Sequence, residues 1–251
     1  MKNKVPSYVI NLKKAKDRKD YMTKILSCYD FILPEYVEAV DGNLLSEDEL
    51  FKKFDDVLSY KRYGRDLNRG EIGCTFSHFK CYQHLLESGE EYALILEDDI
   101  TILRSLEILP ELISILITDE PIVLLLSGDY WYYKSTKINE TYKIVSVYDA
   151  VGSYAYLINK PAAKLLLTEN IKISNVADNW SLYKRQGLRV KAIYPYLIDA
   201  NIESFDSTIN QLYFGECREN MPLDTKLQAF YMAFMKKIIF AFGGFVSKIR
   251  K

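Results

Sequence analysis

The stretch that decides the fold is a run of apolar residues closed by three acids: Tyr92-Ala93-Leu94-Ile95-Leu96-Glu97-Asp98-Asp99. An uninterrupted apolar run of this length is typical of a strand that is buried on both faces, as in a parallel sheet. Its acidic end predicts that the carboxyl tip of the strand opens onto a polar site. A second run of the same kind, residues 122–126, ends in Ser127-Gly128-Asp129.

Strand and helix patterns alternate on both sides of this stretch. Residues 7–12 predict a strand that passes into a basic helix ending near Cys28, and residues 71–88 have helical apolar spacing with Gly89 as a stop. Further strands are predicted at 144–148, 154–158 and, as the last, 188–193, with helices at 160–169 and 178–186. This alternation indicates an α/β fold with a mainly parallel central sheet, in which ligands bind at the carboxyl ends of the strands.

Composition narrows the functional classes. The 251 residues include 33 lysines and arginines and 34 aspartates and glutamates, a balance that argues against nucleic acid as a partner. The four cysteines form no Cys-x-x-Cys pair, so we expect no disulfide framework and a reducing, cytoplasmic setting. The first apolar run is too short for a signal peptide, and no window has about 20 uninterrupted apolar residues.

The chain changes character after Asp224. Its last 27 residues carry six cations and no acid, interspersed with aromatic and aliphatic residues. We therefore divide the chain into a catalytic domain, residues 1–224, and a basic amphipathic helical tail, residues 225–251. The tail is expected to lie on an anionic membrane surface. The alternative is a helix packed on the catalytic domain or on a second subunit of a homo-oligomer.

The three carboxylates at residues 97–99 would repel one another unless a cation binds there. Mg²⁺ or Mn²⁺ prefers carboxylate oxygens and commonly shares them with substrate phosphates, whereas the alternative is a solvated acidic turn. His78 shares a helical face with Cys74 and Cys81. We favour neither zinc nor a Cys–His nucleophile there, because the sequence shows no fourth zinc ligand and no third catalytic group.

Three motifs together resemble glycosyltransferase family 25, the bacterial lipooligosaccharide glycosyltransferases related to collagen galactosyltransferases. The resemblance covers about residues 7–210. The motifs are Val9-Ile10-Asn11-Leu12 with Asp17-Arg18, then Gly70-Glu71-Ile72-Gly73-Cys74 with Ser77-His78, and finally Ala93-Leu94-Ile95-Leu96-Glu97-Asp98-Asp99.

The resemblance implies a GT-A, Rossmann-type fold and an inverting transferase that uses Mn²⁺ or Mg²⁺. The donor would be a UDP-hexose, with galactose first, and the acceptor a terminal sugar of lipooligosaccharide at the inner face of the cytoplasmic membrane. Asn11 and Arg18 become candidate nucleotide contacts, and Glu97, Asp98 and Asp99 the DxD-like element. Asp99, with Asp98, is the expected metal ligand, although the motif begins with glutamate.

Inverting transfer also needs a carboxylate that takes the acceptor hydroxyl proton. Asp178 is the expected base, because it follows a glycine-containing strand at 151–156 and opens a predicted helix; the alternative is a plain N-cap. Asp129 is the competing base, and Glu203 and Asp206 are candidate late contacts. Other functions remain open: a glycoside hydrolase with paired carboxylates, or an inactive carbohydrate-binding module.

Overall fold

A computed structural model describes residues 4–201 and 218–246. The strands are β1 (Val5–Asn11), β2 (Ile32–Glu38), β3 (Tyr92–Glu97), β4 (Ile100–Ile102), β5 (Ile122–Leu125), β6 (Tyr130–Lys137), β7 (Lys143–Ala150), β8 (Ala155–Asn159), β9 (Arg189–Tyr194), β10 (Ile198–Ala200) and β11 (Phe245–Val246). The helices are α1 (Lys16–Leu26), α2 (Glu47–Lys53), α3 (Asp56–Tyr63), α4 (Arg69–Ser88), α5 (Leu109–Leu112), α6 (Lys160–Glu169), α7 (Trp180–Arg185) and α8 (Leu223–Ala241).

The described residues form one large mixed sheet with the strand order β11-β6-β7-β9-β5-β8-β3-β1-β2, and a small sheet of β10 and β4. Strands β1, β2, β3, β5, β6 and β9 of the large sheet run in one direction. The other three, β7, β8 and β11, run against them. Most strands therefore run in the same direction, as the sequence predicts. Most neighbouring pairs are nevertheless antiparallel, because β7 and β8 each lie between two strands of the opposite direction and β11 pairs with β6 at the edge.

Most predicted elements are confirmed. The two apolar runs form β3 and β5 at the centre of the sheet, and the helix with Gly89 as its stop is α4, whose C-cap glycine has a left-handed φ of 81°. The expectation that residues 188–193 form the last strand is wrong, since β10 and β11 follow. The sequence does not predict strand β6, because the second half of this strand is polar and exposed and contains no apolar run.

Apolar layers cover both faces of the sheet. On one face, α4, α6 and α7 enclose residues such as Tyr82, Leu166 and Trp180, which are fully buried. On the other face, α1 and the segment 106–116 enclose Met22, Leu109 and their neighbours. Burial on both faces is why β3 and β5 read as continuous apolar runs.

Helix α8 lies within the second described range and rests on β6 through its C-terminal half. The ammonium of Lys236 forms an ion pair with Asp149 and lies 4.0 Å from the centre of the Trp131 ring. Strand β11 then pairs antiparallel with β6. Gly243, with a left-handed φ of 72°, follows shortly after the end of the helix, a conformation that glycine adopts readily at helix C-termini. A search of the described residues finds no helix able to cross a membrane.

Candidate active site

A cavity of about 510 Å³ opens at the carboxyl edge of β1, β2 and β3. This is the edge at which α/β sheets bind ligands. Its walls come from the turn after β1, the loop after β2, the start of α4 and the acidic tip of β3; they include Lys14, Arg18, Asp41, Gly42, Asn43, Arg69, Cys74, His78, Glu97, Asp98 and Asp99.

Two glycines let the loop after β2 lie directly on α4. A Cβ added to Gly42 would stand 1.6 Å from the carbonyl oxygen of Arg69, and one added to Gly73 would stand 2.6 Å from the Val40 carbonyl oxygen. Both contacts are with backbone, which cannot move aside like the end of a side chain. The glycines therefore set the position of one cavity wall.

The first turn of α4 is closed by the protein's own groups. The Asn68 side chain accepts a hydrogen bond from the backbone N–H of Glu71, and the Glu71 carboxylate accepts one from the backbone N–H of Asn68. Arg65 pairs with the same carboxylate through two hydrogen bonds of 2.8 and 2.6 Å. A helix start of this kind could attract an anion, but here a carboxylate of the chain already lies beside it.

Asp98 is buried and held from two sides. Its Oδ2 accepts a hydrogen bond of 2.7 Å from the amide of Asn11, and its Oδ1 accepts one of 2.9 Å from the guanidinium of Arg18. The Asn11 amide also donates to the carbonyl oxygen of Ala15. The structure thus brings together three of the predicted site residues, and Asn11 and Arg18 directly contact the acidic motif.

Asp99 lies beside the same arginine but faces the cavity. Its Oδ2 accepts a hydrogen bond of 3.2 Å from Arg18. Burial and then the negative charge of Glu97 raise the pKa of Asp99 to about 6, against the lowering effect of Arg18. The carboxylate of Asp99 is therefore in surroundings that favour a bound cation or a proton.

Glu97 is linked to a chain of buried polar side chains. Its Oε1 accepts a hydrogen bond of 2.9 Å from the hydroxyl of Ser153 and lies 3.3 Å from Nε2 of His78. The other ring nitrogen of His78 is 2.7 Å from the Tyr156 hydroxyl, which in turn is 2.8 Å from the Tyr82 hydroxyl. Residues from β3, α4 and β8 thus fix the orientation of one carboxylate at the cavity.

Cys74 lies one helical turn before His78 and close to Glu97. The ligand atoms of these three residues all lie within 4.8 Å of one another. Burial, with smaller effects of the nearby charges of Glu97 and Asp178, raises the pKa of the Cys74 thiol well above its ordinary value. Cys81, which shares the predicted face, is buried in the apolar core among other side chains.

Asp178 lies near Glu97 and His78 but is not an N-cap. Helix α7 begins at Trp180 with Asn179 as its cap, so the expectation that Asp178 opens or caps the helix is wrong. Its Oδ2 instead accepts a hydrogen bond of 2.8 Å from the backbone N–H of Gly152. Burial and, less strongly, the charge of Glu97 raise the pKa of Asp178.

Asp129 lies in the turn before β6 with a left-handed φ of 82°, which is uncommon for a residue other than glycine. Its carbonyl oxygen accepts a hydrogen bond of 2.9 Å from the Val151 N–H. Of the residues that the structure describes, those lining the cavity include neither Asp129 nor Asp178. Glu203 and Asp206 lie outside the described residues.

Three cations line the cavity: Lys14, Arg18 and Arg69. Each pairs with an acid of the chain; Lys14 binds Asp41 at 2.7 Å, and this hydrogen bond lowers the pKa of Asp41. Arg69 pairs with Glu47. The cavity therefore presents both cations and carboxylates, a combination suited to an anionic ligand that carries a divalent cation.

Fold and cavity together define an α/β protein with a polar site at the carboxyl edge of its sheet. A family model described as "Glycosyltransferase family 25 (LPS biosynthesis protein)" matches residues 4–180. The chain belongs to glycosyltransferase family 25, and the resemblance seen in the motifs is confirmed.

Individual relatives match smaller parts of the chain. Procollagen galactosyltransferase 2 of Mus musculus is 38% identical over 96 residues, which are 37% of this chain and 15% of that protein. A protein of Acanthamoeba polyphaga mimivirus assigned as a glycosyltransferase is 28% identical over 209 residues, 76% of this chain and 60% of that protein. The chain thus spans a small part of the length of the first of these relatives.

Among solved structures, mannose-1-phosphate geranyltransferase from Thermus thermophilus aligns with 79% of this chain and 76% of its own, at 13% identity and a TM-score of 0.35. A likeness at that level carries no conclusion about activity.

Proposed function

We propose that this chain is an inverting glycosyltransferase that moves a hexose from a UDP-sugar to a terminal sugar of lipooligosaccharide. The observation that carries the proposal is the cavity at the edge of β1, β2 and β3, where Arg18 stands beside the carboxylates of Asp98 and Asp99. The guanidinium of Arg18 could bind the phosphates of UDP, and the acidic tip would hold a divalent cation that neutralises their charge. Galactose is the preferred hexose because matched relatives carry the name galactosyltransferase.

The residues at the acidic tip fit a hard cation such as Mn²⁺ or Mg²⁺. Asp99 faces the cavity, and burial together with the negative charge of Glu97 raises its pKa although Arg18 donates to it, so a bound cation would offset the remaining negative charge. Both oxygens of Asp98 already accept hydrogen bonds from Asn11 and Arg18. We therefore assign the metal to Asp99 and a supporting role to Asp98. A bound cation would neutralise charge on the departing diphosphate.

Asp178 remains our choice for the base that takes the acceptor proton. Its raised pKa brings a carboxylate nearer to the range useful for proton transfer near neutral pH, and the N–H of Gly152 holds it in place. Asp129 is the alternative, supported by its strained backbone, since such conformations cluster at functional sites. Neither lines the cavity described above, which is consistent with an acceptor site beside the donor site.

A lipid-linked acceptor would require the enzyme to act at the cytoplasmic face of the membrane, and we propose that α8 makes this contact. The helix exposes aromatic and aliphatic side chains, and Lys237 is exposed beside them. An interfacial helix of this kind binds anionic lipid by apolar burial and by charge.

Release of UDP decides between the proposed functions. We expect full-length protein with UDP-galactose and Mn²⁺ to release UDP slowly alone and faster with a lipooligosaccharide acceptor. A glycoside hydrolase would act without nucleotide, and a binding module would release none. Excess chelator should stop UDP release, and Asp99→Asn should reduce it by about 10²–10³-fold. Asp119→Asn, which changes an exposed loop acid, should release UDP as the wild type does.

A further inference from the structure

The group of Cys74, His78 and Glu97 has the geometry of a second metal site, different in chemistry from the oxygen site at Asp99. Zinc holds sulfur at about 2.3 Å and nitrogen or oxygen at about 2.0–2.2 Å in a tetrahedral arrangement, so two ligands of one zinc lie about 3.3–3.7 Å apart. The three ligand atoms here lie within 4.8 Å of one another. The Nε2 of His78 and the Oε1 of Glu97 are 3.3 Å apart and already have the spacing of two such ligands. A side-chain movement of roughly 1 Å would bring the Cys74 sulfur to the same ion.

Hydrogen bonds outside the group hold two of the three ligands in place. The Nδ1 of His78 is 2.7 Å from the Tyr156 hydroxyl, which leaves Nε2 directed toward Glu97. The Ser153 hydroxyl donates to the Glu97 carboxylate at 2.9 Å. Metal-binding histidines and carboxylates in proteins are oriented by such partners, and their loss typically weakens metal binding.

From this arrangement we propose that Cys74, His78 and Glu97 bind a borderline-soft divalent cation, with Zn²⁺ the expected ion. On binding, the Cys74 thiol releases its proton to solvent and its sulfur bonds to the metal. The mixed sulfur, nitrogen and oxygen set selects against Mg²⁺ and Mn²⁺, which prefer oxygen alone. All three residues line the cavity, so a water molecule can take the fourth position, as in zinc sites with three protein ligands.

The site does not depend on the proposed transfer reaction, because it is defined by binding alone. It does share the cavity with Arg18, Asp98 and Asp99. Zinc bound there would lie within the space assigned to the UDP-sugar. We therefore expect Zn²⁺ to weaken UDP binding even when Mn²⁺ is present.

Cobalt titration of the full-length protein tests the site, because Co²⁺ bound to a thiolate has a charge-transfer absorption band in the near ultraviolet. We expect the band in the wild type and in the matched variants Cys28→Ser, Cys81→Ala and Cys217→Ser, and its loss in Cys74→Ser. His78→Gln should reduce it, and Asp99→Asn should keep it. Tyr156→Phe should weaken Zn²⁺ binding about 10- to 100-fold.

X-ray absorption of the zinc-loaded wild type provides a measurement that needs no variant, with one sulfur expected at about 2.3 Å from zinc. No cobalt band in the wild type, a band that survives Cys74→Ser, or a zinc shell without sulfur would each overturn the site. In that outcome His78 and Ser153 only orient Glu97. These measurements do not depend on transferase activity, which is tested by UDP release. Either proposal can therefore fail without the other.

Discussion

Asn11 donates its side-chain amide to Asp98 over 2.7 Å, although 87 residues separate them along the chain. Parallel pairing of β1 with β3 brings the ends of the two strands together. The second hydrogen bond of the same amide, to the carbonyl oxygen of Ala15, ties the turn into α1 to this point. A single polar side chain thus joins the first strand, the first helix and the acidic tip.

Asn11→Ala should therefore destabilise the protein. The change removes a hydrogen bond to a buried carboxylate, which typically stabilises by about 1.5–3 kcal/mol. We expect the free energy of unfolding in urea to fall by that amount. Asn43→Ala, at an exposed position on the same cavity, should change it by less than about 0.5 kcal/mol; equal effects for the two variants would contradict the role of Asn11.

Gly73→Ala should disturb the cavity wall. The added Cβ would meet the Val40 carbonyl oxygen and the Gly42 nitrogen, both at 2.6 Å. Overpacking of this kind costs about 1–3 kcal/mol, and the displaced loop should weaken UDP binding as measured by calorimetry. Gln83→Ala, at an exposed position of the same helix, is the control. Wild-type stability and UDP affinity in Gly73→Ala would show that the loop adapts.

The sequence predicts the centre of this fold better than its edges. The apolar runs of β3 and β5 and the spacing of α4 follow from burial, which leaves a regular pattern in the chain. Strand β6 and the short strands β4, β10 and β11 leave no such pattern, because they are short or are exposed on one side. Their pairing depends on contacts between distant residues.

The candidate site is likewise predicted only in part, and what the sequence misses are the contacts between distant residues. The sequence predicts the acidic tip at residues 97–99, because three adjacent carboxylates after an apolar run are visible in the chain itself. The contacts of His78 with Glu97 and of Asp178 with Gly152 join different elements, so no local spacing could reveal them. The prediction that Asp178 is the N-cap is wrong for a local reason. Asn179, the next residue, caps a helix equally well and is the residue that caps this one.

Asp178→Asn should slow transfer by at least roughly 10²-fold if Asp178 is the base. The asparagine can still accept the hydrogen bond from the Gly152 N–H, so UDP affinity should stay near wild type. Single-turnover rates with UDP-sugar and acceptor measure the effect. A large loss in Asp129→Asn with little change in Asp178→Asn would assign proton removal to Asp129.

The same substitution should change how stability depends on pH. The pKa of Asp178 is raised in the folded protein, so its contribution is fully present below the ordinary aspartate pKa of about 3.9 and is lost as the pH rises through the raised value. Asp178→Asn does not titrate. We expect its melting temperature to rise relative to wild type as the pH increases toward neutral; a difference in melting temperature that is the same at every pH would contradict the raised pKa.

Asp99→Asn should remove the metal-dependent part of UDP binding. The carboxylate faces the cavity beside Glu97 and Arg18, and the amide that replaces it carries no charge for the cation. We expect transfer to fall by about 10²–10³-fold, the loss typical of a missing electrostatic group. Calorimetry with UDP should show a Mn²⁺ effect in wild type and in Asp41→Asn but not in Asp99→Asn; an equal effect in all three would refute the metal assignment.

The exposed face of α8 is the strongest candidate for contact with a membrane. Lys236 and Ile239 hold the opposite side of the helix against the domain. The apolar side chains that stay exposed recur at helical spacing: Leu223, Leu227, Phe230, Tyr231, Phe234 and Ile238. Phe230 is 74% exposed and Phe234 53% exposed. Apolar surface of this extent is typical of an interaction site, and the surplus of lysine in the tail favours an anionic partner.

Phe230→Gln with Phe234→Gln should release the full-length protein from vesicles containing anionic lipid, because the apolar side chains no longer enter the interface. The fold should persist, since neither side chain is buried. Phe51→Gln, which changes a phenylalanine 79% exposed on α2, is the matched control and should bind as wild type does. Raised salt should also weaken wild-type binding, because each lysine near the surface contributes about 1 kcal/mol by charge attraction. If the double variant instead changes the sedimentation coefficient of the protein and leaves vesicle binding intact, α8 is an interface between two copies of the chain.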